Sequence, residues 1–258
     1  MSVHPTAIVE PGARLGEGVR VGPFCVVGPE VVLEDGVELR SHVVVAGDTV
    51  LGAGTVVWPF AVLGEAPQDL KFAGERTSLR IGPRNRIREH VTMNVGTAGG
   101  GGVTRVGADG LFMAGSHVAH DCRVGDRVVL ANCVALAGHV SLGDDVVVGG
   151  LSGIHQFVRV GRGAMIGGLA RVTQDVIPYG LVSDDRSPLV GLNLVGLKRR
   201  GLAREEVAAL RAAFAALRDG DGAFQERAAR LASAPHATVR EIAAFVAGAS
   251  GRQFLVPT

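Results

Sequence analysis

Three short segments gather side chains that can move protons: His117-Val118-Ala119-His120-Asp121, Gly138-His139 and His155-Gln156. A histidine beside a carboxylate is a common pairing of a general base with the group that orients it. Gly138 stands eighteen residues after His120, and Gln156 eighteen after Gly138. If eighteen residues make one turn of the structure, these three form a column, with His139 and His155 one step away. Gly138 would then leave a bare backbone N–H beside the imidazole, a donor for an oxyanion. A single histidine at a turn is more often solvated than catalytic. Four in one patch favour chemistry.

The elements that would stack them follow from a period of six. Eleven positions spaced by six from Val3 to Leu63 are all Val or Leu, and a second run of twelve from Val106 to Val172 is apolar throughout. Four places later stand small or β-branched residues such as Ala13, Cys25, Val43, Cys122 and Val140. A helix needs spacings of three and four and a half-buried strand needs two. Period six means a short strand and a turn, repeated, with Gly and Asp at turns such as Leu142-Gly143-Asp144-Asp145. Three hexads close a triangular coil of eighteen residues. Coils stacked at about 4.8 Å supply the core that no single coil can bury.

The pattern divides the chain into a parallel β-helix over residues 1–190 and a small α-helical domain over 191–258, rich in Ala, Arg, Leu and Glu. Thr238-Val239-Arg240-Glu241 reads as a capping box. Two stretches, near 65–80 and 97–104, break the hexads and read as loops ejected from the prism, where function concentrates. A column of small groups, Ala114, Asn132, Gly150 and Gly168, leaves a groove that fits either an acyl chain or tight subunit packing. A column of Arg105, Arg123, Ser141 and Arg159 fits an acidic partner or a solvated face. Lys198-Arg199-Arg200 could grip phosphates or simply end a helix.

Bulk composition excludes several classes. Lys and Arg total 26 against 25 Asp and Glu, so nucleic acid is not an expected partner. Cys25, Cys122 and Cys133 form no disulfide or metal framework, which suits a reducing compartment. No signal peptide or apolar run of membrane-spanning length is evident, so a cytoplasmic protein with no transmembrane segment is expected. A zinc site is the alternative use of the histidines. The histidine spacing of the zinc-binding β-helix carbonic anhydrases is absent, and no metal is expected.

The motifs together resemble the acyl-carrier-protein:UDP-N-acetylglucosamine O-acyltransferase family, hexapeptide-repeat enzymes of the first step of lipid A synthesis. The segments that carry the resemblance include His4-Pro5-Thr6-Ala7-Ile8-Val9-Glu10, Gln68-Asp69-Leu70-Lys71, Asn85-Arg86-Ile87-Arg88-Glu89, Ala119-His120-Asp121-Cys122, Leu136-Ala137-Gly138-His139-Val140, His155-Gln156-Phe157 and Gly196-Leu197-Lys198-Arg199-Arg200-Gly201. The resemblance implies a left-handed parallel β-helix with a C-terminal helical domain, assembled as a homotrimer with sites between subunits. It implies transfer of an (R)-3-hydroxyacyl chain, carried on the phosphopantetheine of acyl carrier protein, to the sugar 3-position, with no cofactor. His120 is then the general base, Asp121 its partner and Gly138 N–H the oxyanion donor. Gln68, Asp69 and Lys71 hold the amino-sugar, and His139 sits at the sugar and thioester. His117, His155, Gln156, Asn193, Arg199 and Arg200 hold the nucleotide and diphosphate. Gly168 matches the position that limits acyl length, and a glycine there suggests a long chain.

Two residues depart from the pattern: Asn94 stands where better-known members carry His, and Val195 where they carry an acid. They bear on fine substrate recognition; separately, some relatives use a sugar with a 3-amino group and make an amide, so the acceptor carries either a 3-hydroxyl or a 3-amino group. Competing readings are a related N-acyltransferase, which usually adds an N-terminal domain that hexads starting at Val3 argue against, an acetyl-CoA enzyme, and a non-catalytic scaffold.

Overall fold

The computed structural model describes residues 1–183, 187–248 and 251–258. The hexads fold into two-residue strands that alternate among three parallel sheets, of eleven, nine and eight strands. Pairing holds the expected register of eighteen: Ser2 lies beside Arg20, His117 beside Ala135, and Ala135 beside Gly153. These sheets form the faces of a triangular prism. The first runs from Ser2–Val3, the second from Ile8–Val9 and the third from Arg14–Leu15. The period-six residues fill the interior, and Leu33, Leu51, Leu63, Leu130, Leu136 and Ile154 are among its largest fully buried side chains.

Most corner turns pass through one left-handed residue, a conformation that costs roughly 1–2 kcal/mol for anything but glycine. The first corner, between first and second faces, carries Phe24, His42, Phe60, His90, Cys133, Leu151 and Leu169 in that conformation. The second carries Asp121, His139 and Phe157, and the third Arg84, Asp109, Arg127 and Asp145. Apart from glycines, those third-corner residues form an alternating charge ladder, with Arg84 on Asp109 and Arg127 on Asp145.

Both breaks in the rhythm leave at the second corner. The strand Val62–Glu65 ends at the first ejected loop and the strand Ser78–Ile81 follows it. The strand Thr92–Asn94 precedes the second loop, which includes the 3₁₀ turn Ala98–Gly100, and Val103–Val106 resumes the coil. The register of strands on either side survives both excursions: Arg80 pairs with Val50 below and Arg105 above.

The prism ends with Leu189–Leu192, which pairs antiparallel with Gly180–Val182 and so stops the parallel stacking. Helices α1 (Leu194–Arg199), α2 (Arg204–Asp219), α3 (Phe224–Ala229) and α4 (Ala237–Ala247) follow. The tail then returns to the prism, with bridges from Asp175 to Phe254 and from Leu189 to Pro257. Arg159 reaches under α4: its guanidinium binds the fully buried Asp175 at 2.7 Å and lies 4.6 Å from the Phe245 ring centre. The expected column of free arginines is therefore shorter than the sequence suggests, because Arg159 is spent on docking the helices. The expected capping box is also absent. His236 is the N-cap of α4, Thr238 donates its hydroxyl to Glu206, and Glu241 accepts from the Tyr179 hydroxyl. Tertiary partners outcompete the local cap. Among the described residues no helix is long and apolar enough to cross a membrane.

Candidate active site

The second corner brings the expected proton-moving groups together. His120 precedes the left-handed Asp121 in one coil, and Gly138 precedes the left-handed His139 in the next. Coil-to-coil bonds fix their stacking: His139 N–H donates to His120 O at 3.0 Å, and Phe157 N–H to Gly138 O at 3.2 Å. The His120 ring packs against Gly138, where an added Cβ would sit 2.5 Å from Cε1 and 2.6 Å from Nε2. Only glycine leaves room for it. The Gly138 N–H makes no hydrogen bond among the described residues, as expected for a turn that faces outward.

His120 Nδ1 lies 2.8 Å from Asp121 Oδ2. A carboxylate only accepts, so Nδ1 carries a proton and donates it, and in the neutral ring the lone pair is on Nε2. The Asp121 side chain is wholly buried. Burial alone would push its pKa up. The Thr97 hydroxyl at 2.6 Å, the Thr97 N–H at 2.9 Å and the His120 ring outweigh that and hold it below the usual carboxylate range. His139 meets His120 edge-on at 5.1 Å between ring centres and stacks on Phe157 at 4.4 Å. Burial, offset in part by Asp121, keeps the His139 basicity below its ordinary value. His120, Asp121 and His139 could in principle hold a metal ion. The Asp121 oxygens, however, are already engaged by Thr97 and His120.

The two ejected loops wall a cleft of about 580 Å³ in front of this corner, lined by Asp69, Lys71, Phe72 and Glu75 from the first loop, Thr97 to Gly100 from the second, and His139 and Phe157. Glu75 ties the loops together by accepting from Ala73 N–H at 2.9 Å and Ala98 N–H at 3.2 Å. Asn94, the departure from the family pattern, is buried at their root and donates to Ala66 O at 3.0 Å. Its side chain holds the first loop to the prism.

The remaining expected residues are spread more widely. His117 lies on the second face with Nδ1 2.7 Å from the Thr92 hydroxyl, and burial pushes its basicity down. Gln68 is exposed at the loop base, outside the cleft lining. His155 and Gln156 are exposed one coil beyond His139, and the tail residue Arg252 approaches His155 Nδ1 at 2.8 Å. Gly168 is exposed at the first corner. Asn193 and Arg200 belong to the third corner: the Asn193 side chain caps α1 and donates to Gly163 O at 3.0 Å, and Arg200 reaches Asp145 O at 3.3 Å. Arg199 and Val195 are exposed on α1. One prism thus keeps the His120 cluster and the Asn193 cluster on different corners.

Thr97, Glu75, Phe157 and Arg252 also build this region, and the sequence reading did not assign them a role. Phe157 was within reach of the column argument, since it lies eighteen residues after His139. Thr97 and Glu75 sit in the ejected loops, where the column rule has no force.

Comparison with known proteins gives a consistent result. Residues 175–255 match the family model described as UDP-N-acetylglucosamine O-acyltransferase, domain 2. The chain is 60% identical over its whole length, and 98% of the relative, to the acyl-[acyl-carrier-protein]–UDP-N-acetylglucosamine O-acyltransferase of Caulobacter vibrioides. It is 64% identical, over 78% of this chain and 77% of the relative, to the protein of that name from Paracoccus denitrificans. A crystal structure of a UDP-N-acetylglucosamine acyltransferase superposes over all of both chains with a TM-score of 0.96 at 40% identity. The Campylobacter jejuni UDP-N-acetylglucosamine acyltransferase gives 0.94 at 37%, again over all of both chains.

Proposed function

The chain belongs to the acyl-acyl-carrier-protein–UDP-N-acetylglucosamine O-acyltransferase family of left-handed parallel β-helix enzymes of lipid A biosynthesis, and from that premise we propose how its own residues carry the transfer. The acceptor is the sugar 3-hydroxyl and the donor an (R)-3-hydroxyacyl thioester on the phosphopantetheine of acyl carrier protein. His120 Nε2 removes the hydroxyl proton as the oxygen attacks the thioester carbonyl. The resulting oxyanion is held by Gly138 N–H, and collapse expels the thiolate, which takes the proton back from His120. Asp121 orients the ring and balances its transient charge. Asp69 and Lys71 hold the sugar in the cleft, beside His139. The observation that carries this reading is the His120 ring, packed on Gly138 with Nδ1 on a buried carboxylate.

The thioester is already activated, so the reaction needs no cofactor or metal, and chelation is expected to leave the rate unchanged. The acyl chain leaves the second corner across the second face, past Ala135 and Gly153, towards Gly150 and Gly168. A Cβ on Gly153 would meet nothing within 4 Å. The open Gly168 accepts a long chain.

We also propose a homotrimer with the first corners on the axis. In support, Phe24, Phe60, Leu151 and Leu169 stand exposed along that corner, and Leu111, Val129, Val147, Val26, Val44 and Val62 point outward on the faces that flank it. The third face instead carries Arg14, Arg80, Arg105 and Arg123 outward. Apolar patches of this extent mark interfaces. Three prisms meeting at their first corners lay the second face of one against the first face of the next. The second corner of one then adjoins the third corner of its neighbour. That is how His120, His139 and Gln156 would share a site with Asn193, Arg199 and Arg200, which hold the nucleotide together with His117 and His155. A cytoplasmic location follows from both substrates.

Acyl transfer by the purified protein tests the reading. Wild type and His120→Ala are given UDP-N-acetylglucosamine or its 3-amino analogue, with a ladder of acyl carrier protein thioesters, and products are read by mass. The expected result is transfer to the 3-hydroxyl sugar, falling by about 10²–10⁴-fold in His120→Ala. Equal rates from both proteins would remove His120 as the base. Transfer only to the 3-amino sugar would replace the ester by an amide.

A further inference from the structure

The Asp121 carboxylate owes most of its fixed position to a residue outside the hexad pattern. Thr97 opens the second ejected loop. Its hydroxyl donates to Oδ2 at 2.6 Å, and its N–H donates to Oδ1 at 2.9 Å. One residue therefore grips both oxygens, and His120 takes the remaining bond, to Oδ2 at 2.8 Å. The main chain is pinned as well, since Asp121 N–H donates to the Thr104 hydroxyl at 2.8 Å. The loop closes over the carboxylate so tightly that a Cβ on Gly100 would sit 2.0 Å from Asp121 Cγ. Thr97 itself is nine-tenths buried.

We propose that Thr97 is a positioning residue for the catalytic base, acting through Asp121 to set the plane of the carboxylate and the strength of its bond to His120. The proposal rests on His120 being the base. Two consequences follow from the geometry. With both oxygens held, the carboxylate cannot rotate, so the His120 ring keeps the orientation that its Nδ1 bond sets. And the Thr97 hydroxyl shares Oδ2 with the imidazole. It withdraws part of the charge that would otherwise hold the imidazolium proton, so the base releases its proton to the leaving thiolate more readily.

Thr97→Val removes the hydroxyl while keeping the shape and the N–H. Hydrogen bonds to charged groups are worth enough that kcat should fall by roughly 10- to 100-fold. KM for UDP-N-acetylglucosamine should stay within about twofold, because the variant touches a step rather than uniform binding. Thr97→Ser, which restores the hydroxyl, should restore kcat. If Thr97 merely anchored the loop, Thr97→Val would instead raise KM and leave kcat unchanged. That outcome, or an unchanged kcat in Thr97→Val while His120→Ala is inactive, overturns the proposal. Full activity in His120→Ala would overturn the base assignment itself, and the two failures are thereby told apart.

Discussion

At the scale of single residues, the site depends on a missing side chain as much as on those present. Gly138→Ala places a methyl group 2.5 Å from the His120 ring, which must then tilt. A displacement near 1 Å at a reacting group can cost about 10²-fold, so kcat should fall by about that factor. Circular dichroism should change little, because Gly138 has no need of a left-handed backbone, while the overpacked methyl should lower stability by about 1–3 kcal/mol. The buried titratable groups make a second prediction. The fold disfavours protonated His117, through burial and then its neighbour His120. As pH falls through the ordinary histidine value of 6.5, the unfolded chain takes up a proton that the folded chain resists, and stability is lost. Asp121 acts lower: its stabilising contribution is present above the ordinary carboxyl value of 3.8 and disappears below it. The thermal midpoint should therefore begin to fall below pH 6.5, and His117→Gln should flatten the upper part of that decline.

At the scale of elements, the helices are joined to the prism by a small number of strong contacts. Arg159 bridges the third face to α4 through Asp175, Phe245 and Phe254. Asp175→Ala leaves that guanidinium half-enclosed without its anion. Breaking a fully buried pair costs about 3–5 kcal/mol; discounted for the partial exposure of Arg159, the cost here is about 2–3 kcal/mol. Urea denaturation should show it as a lower midpoint, with the prism strands the last to melt. Contacts of this kind also mark what the sequence could convey. Any feature that repeats every eighteen residues was legible, because the register turns spacing into adjacency. That covers the core, the His120–Gly138–Gln156 column and the small-residue column ending at Gly168. Features set by a single tertiary encounter were not. Thr238 and Glu241 spell a local cap, yet Glu206 and Tyr179 claim them. Arg159 falls in a column of outward arginines, yet Asp175 takes it. Thr97 and Glu75 lie in loops whose paths no period dictates.

At the scale of the whole molecule, one chain holds two half-sites on separate corners. If subunits meet at their first corners, two inactive proteins should repair one another. Mixed and refolded together, His120→Ala and Arg199→Ala subunits should regain activity, with about a quarter of sites intact in both halves. A site confined to one chain would regain none. Sedimentation should give three times the chain mass, and Leu151→Lys with Leu169→Lys should reduce it to one.

The constant pitch of the prism carries a last consequence. Every distance along the axis is counted in whole coils of about 4.8 Å, the span of several methylene groups. Adding or removing one coil between the His139 and Leu169 levels would move the end of the groove by that fixed step. Exchanging Gly168 for Ala, Val or Met would adjust it by fractions of the step. Chain-length preference in such a scaffold has a coarse setting and a vernier, and the two can be turned separately.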